Sequence, residues 1–271
     1  MSKTVFLHFT DIHYNSIYDS AFMRRLTDKT GVNLTQQLVC GLEHMKRNCP
    51  QLEFVLISGD LVHEGKTVEY RALRSIIEGV FPETALYAAP GNHDSEEYSQ
   101  GWLGDCAAGC YYEKLFPNAL RLIALDSRGG EYGMGRIEHG QLLWLRDKLC
   151  GDALTPTILM LHHTPHVSGE EDFLIWQMEN AEELLDVVEG ANIIGIFAGH
   201  THMRYESMFG TIPCYTASSI GYEIDALEDR FILGNKTGYN VCEYENGVLD
   251  VRYVEITPKT EISVVVPYDE L

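Results

Sequence analysis

Asp11 and His13 stand two residues apart at the end of an apolar run, and His200 and His202 repeat that spacing near residue 200. In extended backbone, such a pair points both side chains to one side. Between them, Ser58-Gly59-Asp60 follows a second apolar run, Gly91-Asn92-His93-Asp94 a third, and His162-His163 another. Carboxylate, amide oxygen and imidazole suit manganese, iron or zinc, and no thiolate joins the set. Asp60 is the natural bridge, since one carboxylate offers an oxygen to each of two ions. Two ions roughly 3.5–4 Å apart clamp the attacking and leaving oxygens of an in-line displacement. Two divalent ions bring four positive charges. Asp11 and Asp60 cancel two and a bridging hydroxide a third, which leaves one charge for a phosphodiester monoanion. Each fragment alone reads as a turn or a core histidine; five in order, all at ends of apolar runs, read together as a site.

The elements that must position these residues alternate in type. Short apolar runs rich in branched side chains occupy residues 5–9, 54–57, 85–89, 120–125, 157–161 and 193–198, as expected of strands buried on both faces. Helical patterns lie between them. One begins at Asn33 with Leu34, Leu38, Leu42 and Met45 on one face; a second is capped by Thr67, with Tyr70, Leu73, Ile77 and Val80 apolar; a third covers residues 141–149. A fourth starts at a capping box formed by Asn180 and Glu183 and ends at Gly190. Ligands in α/β sheets sit outside the carboxyl ends of the strands, where every one of these motifs falls. Beyond residue 203 the pattern turns to strands at 204–209, 212–217, 239–245 and 248–256, the last two joined by an Asn246-Gly247 hairpin. Residues 95–117 and 164–179 read as loops rich in aromatic residues and glycine.

The chain of 271 residues reads as one domain over 1–271, with a core of about 1–220 and a C-terminal β segment over 221–271. Its net charge of −20 disfavours sequence-independent binding to nucleic acid or anionic lipid. No apolar run is long enough for a membrane span or a leader, which predicts a cytoplasmic protein. The seven cysteines are odd in number and irregular in spacing, so they read as free thiols; Cys106 and Cys110 lack the second pair a zinc site needs.

With those motifs in order, the sequence resembles the calcineurin-like metallophosphoesterase superfamily, and within it the class III cyclic-nucleotide phosphodiesterases and related glycerophosphodiesterases. Leu125-Asp126-Ser127, the run Gln141 to Leu145, His162-His163-Thr164-Pro165 and Gly210-Thr211-Ile212-Pro213 add to the likeness. The resemblance implies a four-layer α/β/β/α sandwich and a dinuclear centre of Mn, Fe or Zn. Asp11, His13, Asp60 and His202 would hold one ion, and Asp60, Asn92, His162 and His200 the other. His93 would stabilise the transition state or protonate the leaving alkoxide, and Asp94 would orient His93. A bridging or terminal hydroxide would attack phosphorus. The family places its ligand first in the pair, which favours His162 over His163; Thr164 stands where relatives often carry proline.

The activity this implies is hydrolysis of a small phosphodiester, first a 3′,5′-cyclic AMP-type nucleotide. The alternatives are a glycerophosphodiester, a phosphomonoester, or a non-catalytic metal-binding scaffold. A homodimer in which the aromatic loops and the β-rich C-terminal segment cap and narrow the pocket is a further expectation of the resemblance to glycerophosphodiesterases. His8 reads as a core histidine, His63 as a loop residue within reach of substrate, and His44 and His139 as helical residues without a role. Tyr14, Tyr98, Trp102, Tyr111, Tyr112, Phe173 and Trp176 are candidates for stacking on a base or for core, and Arg204 for touching phosphate.

Overall fold

The computed structural model describes residues 3–15, 21–103, 110–131, 133–165, 178–227 and 229–267. The chain runs β1 (Thr4–Phe9), α1 (Ala21–Thr30), α2 (Leu34–Asn48), β2 (Phe54–Ser58), α3 (Thr67–Val80), β3 (Ala85–Ala89), a π-helical turn (Ser99–Leu103), β4 (Tyr112–Leu115), β5 (Arg121–Ala124) and α4 (His139–Gly151). It continues with β6 (Thr157–Met160), α5 (Ala181–Val188), β7 (Ile193–Ala198), β8 (Tyr205–Phe209), β9 (Ile212–Thr216), β10 (Glu223–Ala226), β11 (Arg230–Gly234), β12 (Thr237–Glu245), β13 (Val248–Ile256) and β14 (Ser263–Pro267).

Two mixed sheets face each other. One has the order β13-β12-β1-β2-β3 and the other β4-β5-β6-β7-β9-β8. Within the first, β1, β2 and β3 are parallel; within the second, β5, β6 and β7 are parallel. The pleat divides their side chains between two cores. Phe6, Phe54 and Leu56 meet Leu122, Ile158, Met160 and Phe197 between the sheets. Leu7, Phe9, Val55 and Ile57 turn the other way onto α2 and α3, while Ile123, Leu159 and Ile196 turn onto α4 and α5. The layers are therefore α/β/β/α, as the resemblance implied. Because both faces of each central strand are covered, the strands are apolar throughout and not alternating.

The C-terminal strands do two things. β12 pairs antiparallel with β1 over five residue pairs and extends the first sheet. Its hairpin to β13 turns on Asn246 and Gly247, both at positive φ (53° and 84°), which a two-residue turn of this hand requires. β10, β11 and β14 instead form a separate three-stranded sheet, which shares a small core with α1 through Met23, Leu26, Leu233 and Val266.

Several expectations change. α1 and the strands β4, β10, β11 and β14 were not expected. α1 is only ten residues long and the strands are four or five residues each, so each is short enough to pass for loop. Thr67 does not cap α3: its hydroxyl donates to Glu97, and the Glu69 carboxylate accepts from Lys66 N at 3.0 Å instead. Asn180 precedes α5 but makes no side-chain cap; its amide is spent on both backbone groups of Ile137. Residues 95–117 are less loop-like than expected, since they hold the π-helical turn and β4. Tyr98 and Trp102 there are core residues, packed with Tyr70 beside α3. Among the described residues no helix is long and apolar enough to cross a membrane. Cys40, Cys49, Cys110, Cys150, Cys214 and Cys242 are free, and Cys106 lies outside the described residues.

Candidate metal centre

The carboxyl ends of the two parallel strand sets converge, and each contributes a tight turn. After β1 the chain turns through Thr10 to Tyr14, after β2 through Gly59 to His63. Backbone bonds lace the two turns together: Asp11 N to Gly59 O at 3.1 Å, His13 N to Asp60 O at 2.9 Å and Tyr14 N to Leu61 O at 2.9 Å. Asp11, His13, Asp60, His200 and His202 all have positive φ, between 47° and 73°. Such backbone costs on the order of 1–3 kcal/mol per residue and persists only where surroundings impose it. Two motif glycines explain part of that imposition. A Cβ on Gly59 would run into the His162 ring, and one on Gly199 into Thr10 and Asp11. Glycine is there because the ligand groups occupy the space a side chain would take.

The side chains gather closely. His13 Nε2 is 3.0 Å from His202 Nε2 and 3.5 Å from Asp60 Oδ2. His162 Nε2 lies 3.3 Å from the same Asp60 oxygen and 3.1 Å from Asn92 Oδ1. Asp11 Oδ1 is 3.5 Å from His202 Nε2, and the Asp11 carboxylate accepts from Thr10 Oγ1 at 2.7 Å and His200 N at 3.0 Å. Asp11, His13, Asp60, His162, His200 and His202 are buried, whereas Asn92 and His93 are half-buried at the opening. The structure thus brings together all seven residues singled out as ligands, from turns up to about 190 positions apart.

The tautomers favour metal binding. His162 Nδ1 donates to Ser58 O at 2.8 Å, and His202 Nδ1 donates to Tyr222 O at 2.8 Å. With Nδ1 committed to a carbonyl, each ring turns Nε2 into the cluster, as a carbonyl behind a metal-bound histidine arranges. Burial holds His13, His200 and His202 below the usual histidine range, so they stay neutral bases. Burial works the same way on His162, but the Asp60 and Asp11 carboxylates outweigh it and raise that ring to about 9. Burial pushes Asp60 up, and the His162 and His93 rings overcome it and hold its carboxyl well below the usual range. The carboxylates thus call for positive charge in their midst. Oxygen and imidazole donors within 4.8 Å of one another fit a pair of metal ions.

His163 also comes near, with its ring 4.5 Å from that of His200. Its nitrogens are taken: Nδ1 pairs with Ser127 Oγ at 2.8 Å and Nε2 with Gly133 O at 3.0 Å. His93 lies at the opening, and its backbone N donates to Asp60 Oδ1 at 2.9 Å. Asp94 is buried, but its carboxylate accepts from Gly91 N, Leu61 N and Val62 N. Those contacts hold the turn that carries His93; the ring itself is not among the carboxylate's partners.

Sequence reasoning gave little weight to several residues here. The His63 ring stacks on His93 at 4.5 Å and 21°, and its Nδ1 is 3.3 Å from His13 Nδ1. Tyr222 supplies the carbonyl behind His202. Ser219 Oγ donates to Asp11 O at 2.7 Å while accepting from Gly221 N and Tyr222 N. Arg128 spans from Asp126 to the Asp94 and Ser95 carbonyls. Only His63, close behind Gly59-Asp60, carried a sequence signal. Arg204 pairs with Glu206 at 2.6 Å over the Tyr253 ring and does not line the cleft. His8 is buried between Ser58 and Asn240. Tyr14 is core, Tyr111 packs on Trp144, Tyr112 lies in β4, and Phe173 and Trp176 fall outside the described residues.

The cluster opens into a cleft of about 480 Å³, lined in part by Asp60, Asn92, His93, His200 and His202. That is within the range of small-molecule sites.

Comparison with known proteins agrees with this geometry. A probable cyclic nucleotide phosphodiesterase of Rhodococcus erythropolis is 33% identical over 175 residues, which cover 63% of this chain and 58% of the relative. The chain thus spans less than two thirds of that relative's length. A cAMP/cGMP dual specificity phosphodiesterase of Mycobacterium tuberculosis is 27% identical over 230 residues, 83% of this chain and 70% of the relative. The crystal structure of a dimetal phosphatase from Danio rerio has the same fold, with a TM-score of 0.60 at 14% identity over 85% of this chain and 95% of its own. The calcineurin-like phosphoesterase profile matches residues 4–204. That stretch carries all five motifs and the strands behind them, and the chain belongs to the calcineurin-like phosphoesterase family.

Proposed function

We propose that this protein hydrolyses a small phosphodiester, foremost a 3′,5′-cyclic nucleotide, with two metal ions held by Asp11, His13, Asp60, Asn92, His162, His200 and His202. The observation that carries the reading is the shared Asp60 carboxylate, whose one oxygen lies 3.5 Å from His13 and 3.3 Å from His162. Asp11, His13, Asp60 and His202 are assigned to one ion, and Asp60, Asn92, His162 and His200 to the other. Mn, Fe or Zn suits these donors. When bound, such ions supply Lewis acidity and a hydroxide nucleophile at neutral pH.

The chain's own residues do the rest. His93, half-buried at the opening, is placed to deliver a proton from its imidazole to the departing alkoxide. Its backbone bond to Asp60 keeps it in register with the shared carboxylate. Asp94 is a positioning residue, because its three N–H bonds fix the turn on which His93 rides. His63 backs the His93 ring and limits its rotation.

Charge favours a diester. Among the described residues lining the cleft there is no Lys or Arg, so no side-chain cation is there to neutralise the second charge of a monoester dianion. The names of the two bacterial relatives also support a diester, and a cyclic nucleotide in particular.

The test is hydrolysis of an aryl phosphodiester beside its monoester, with added manganese, by wild type and Asn92→Ala, followed by 3′,5′-cyclic AMP. Diester turnover lost on chelation and in the variant is expected. Preference for the monoester would make the protein a phosphomonoesterase, and no turnover of any of the three would point to a scaffold.

A further inference from the structure

The described wall of the cleft away from the metal cluster is apolar and aromatic, and neither large sheet supplies it. Phe22 belongs to α1, Ile224 to β10 and Phe231 to β11, with Tyr222 just before β10; all four line the cleft. Phe22 and Phe231 are half-buried. Each rests on the small core shared by α1 and the third sheet and turns the rest of its ring to the cleft. Three flat faces are aligned. Phe22 lies 13° from the plane of His63 at 5.9 Å and His63 lies 21° from His93 at 4.5 Å, while Tyr222, 6.2 Å from Phe22, is tilted by 51°. A run of ring faces, Phe22, His63 and His93, therefore leads from the outer wall to the edge of the ligand cluster.

Beside the His63 ring, this end of the described lining carries one carboxylate. Exposed Glu64 lies at the rim, in a chain of net charge −20. A second phosphate, or a nucleic-acid backbone, would meet that negative charge with no Lys or Arg among the described lining residues. What the wall accommodates is a neutral, flat organic group, and about 480 Å³ is room for one attached to a phosphate.

We propose that Phe22 and Phe231 form a subsite that stacks on the nucleobase of the diester while its phosphate occupies the metal cluster. This rests on the function proposed above and deepens it. It assigns substrate choice to α1 and the third sheet, not to the aromatic residues of 95–117, whose Tyr98 and Trp102 are core. Stacking by an aromatic side chain is sequence-tolerant, so adenine and guanine nucleotides both fit.

The experiment compares 3′,5′-cyclic AMP with a ring-free glycerol phosphodiester, using the full chain reconstituted with manganese. Phe22→Leu and Phe231→Leu keep the apolar core contact and remove the ring face; thermal melting verifies folding, and Phe22→Trp tests rescue. The expected result is that KM for the cyclic nucleotide rises about tenfold relative to KM for the ring-free diester in each Leu variant, and returns in Phe22→Trp. An unchanged KM ratio in both Leu variants, or no return with Trp, overturns the subsite. Should wild type turn over neither diester, the proposed function fails while the subsite is still decided by calorimetric binding of AMP against glycerol 3-phosphate. Tighter AMP binding that Phe22→Leu abolishes supports the stacking wall, and equal binding of the two overturns it.

Discussion

His13 and His202, 189 residues apart, face each other with their Nε2 atoms 3.0 Å apart. The Nδ1 proton of His202 is committed to the Tyr222 carbonyl, so its Nε2 presents a lone pair. The opposing nitrogen must then bring a proton or share a cation. With buried carboxylates of Asp11 and Asp60 alongside, a cation satisfies every group at once, and removing it leaves acceptors crowded together.

Metal ions should therefore stabilise the fold measurably. At a hundredfold excess over its Kd, an ion contributes about 2.7 kcal/mol, worth roughly 5–8 °C in melting temperature for a chain of this size. Scanning calorimetry with and without manganese or zinc should show that rise, and Asp60→Asn should remove most of it. A melting temperature indifferent to metal and chelator would speak against the centre.

His93→Asn should lower kcat for an aryl diester by roughly 10²–10⁴-fold, because the proton donor to the leaving group is gone. Metal content should be unchanged, since its backbone bond to Asp60 survives the substitution. Elemental analysis beside steady-state kinetics checks both halves. Loss of metal in step with activity would reassign His93 to the ligand set.

Arg128 should matter although it is not among the ligands. Its guanidinium holds Asp126 at 2.7 Å and donates to the carbonyls of Asp94 and Ser95 at 3.0 and 3.3 Å, so it ties the end of β5 to the His93 turn. Arg128→Ala strands a carboxylate and two carbonyls and should cost about 1–3 kcal/mol in urea unfolding. Arg128→Lys, which cannot span both partners with a planar fork, should recover only part. Wild-type stability in the alanine variant would show the tie to be dispensable.

His8 gives a pH dependence of defined sign. Burial between the sheets lowers its pKa from 6.5 to about 3, so the folded state keeps it neutral while the unfolded state protonates it below about pH 6.5. Its contribution is fully present above that pH and is lost as pH falls from 6.5 towards 3, at roughly 1.4 kcal/mol per unit. His13, His163, His200 and His202 are lowered in the same direction and His162 is raised, so the diagnostic is a difference. His8→Asn should flatten the acid limb of stability against pH by about one proton. Parallel curves for the two proteins would show that His8 can be protonated in place.

The central strands, and the Asp, Asn and His residues that follow them, were readable from the chain alone. Strands covered on both faces show as unbroken apolar runs, and the Asp, Asn and His residues that follow them are local spacings that survive without knowing the fold. α2, whose N-cap Asn33 accepts from Gln36 N at 2.9 Å, and the Asn246-Gly247 hairpin were equally plain, because caps and turns are decided within a few residues. Tertiary structure alone decided the rest. That Ser58 and Tyr222 set the tautomers of His162 and His202 depends on backbone carbonyls, which have no sequence signature. That Asp94 serves three backbone N–H groups, that Arg128 bridges to the His93 turn, and that Tyr98 and Trp102 are core depends on which face each side chain meets once the sheets have packed. The cleft wall was the least legible part. α1 and the strands of the third sheet are short, and they exist because Met23, Leu26, Leu233 and Val266 bury one another, a core that no single segment of the chain announces.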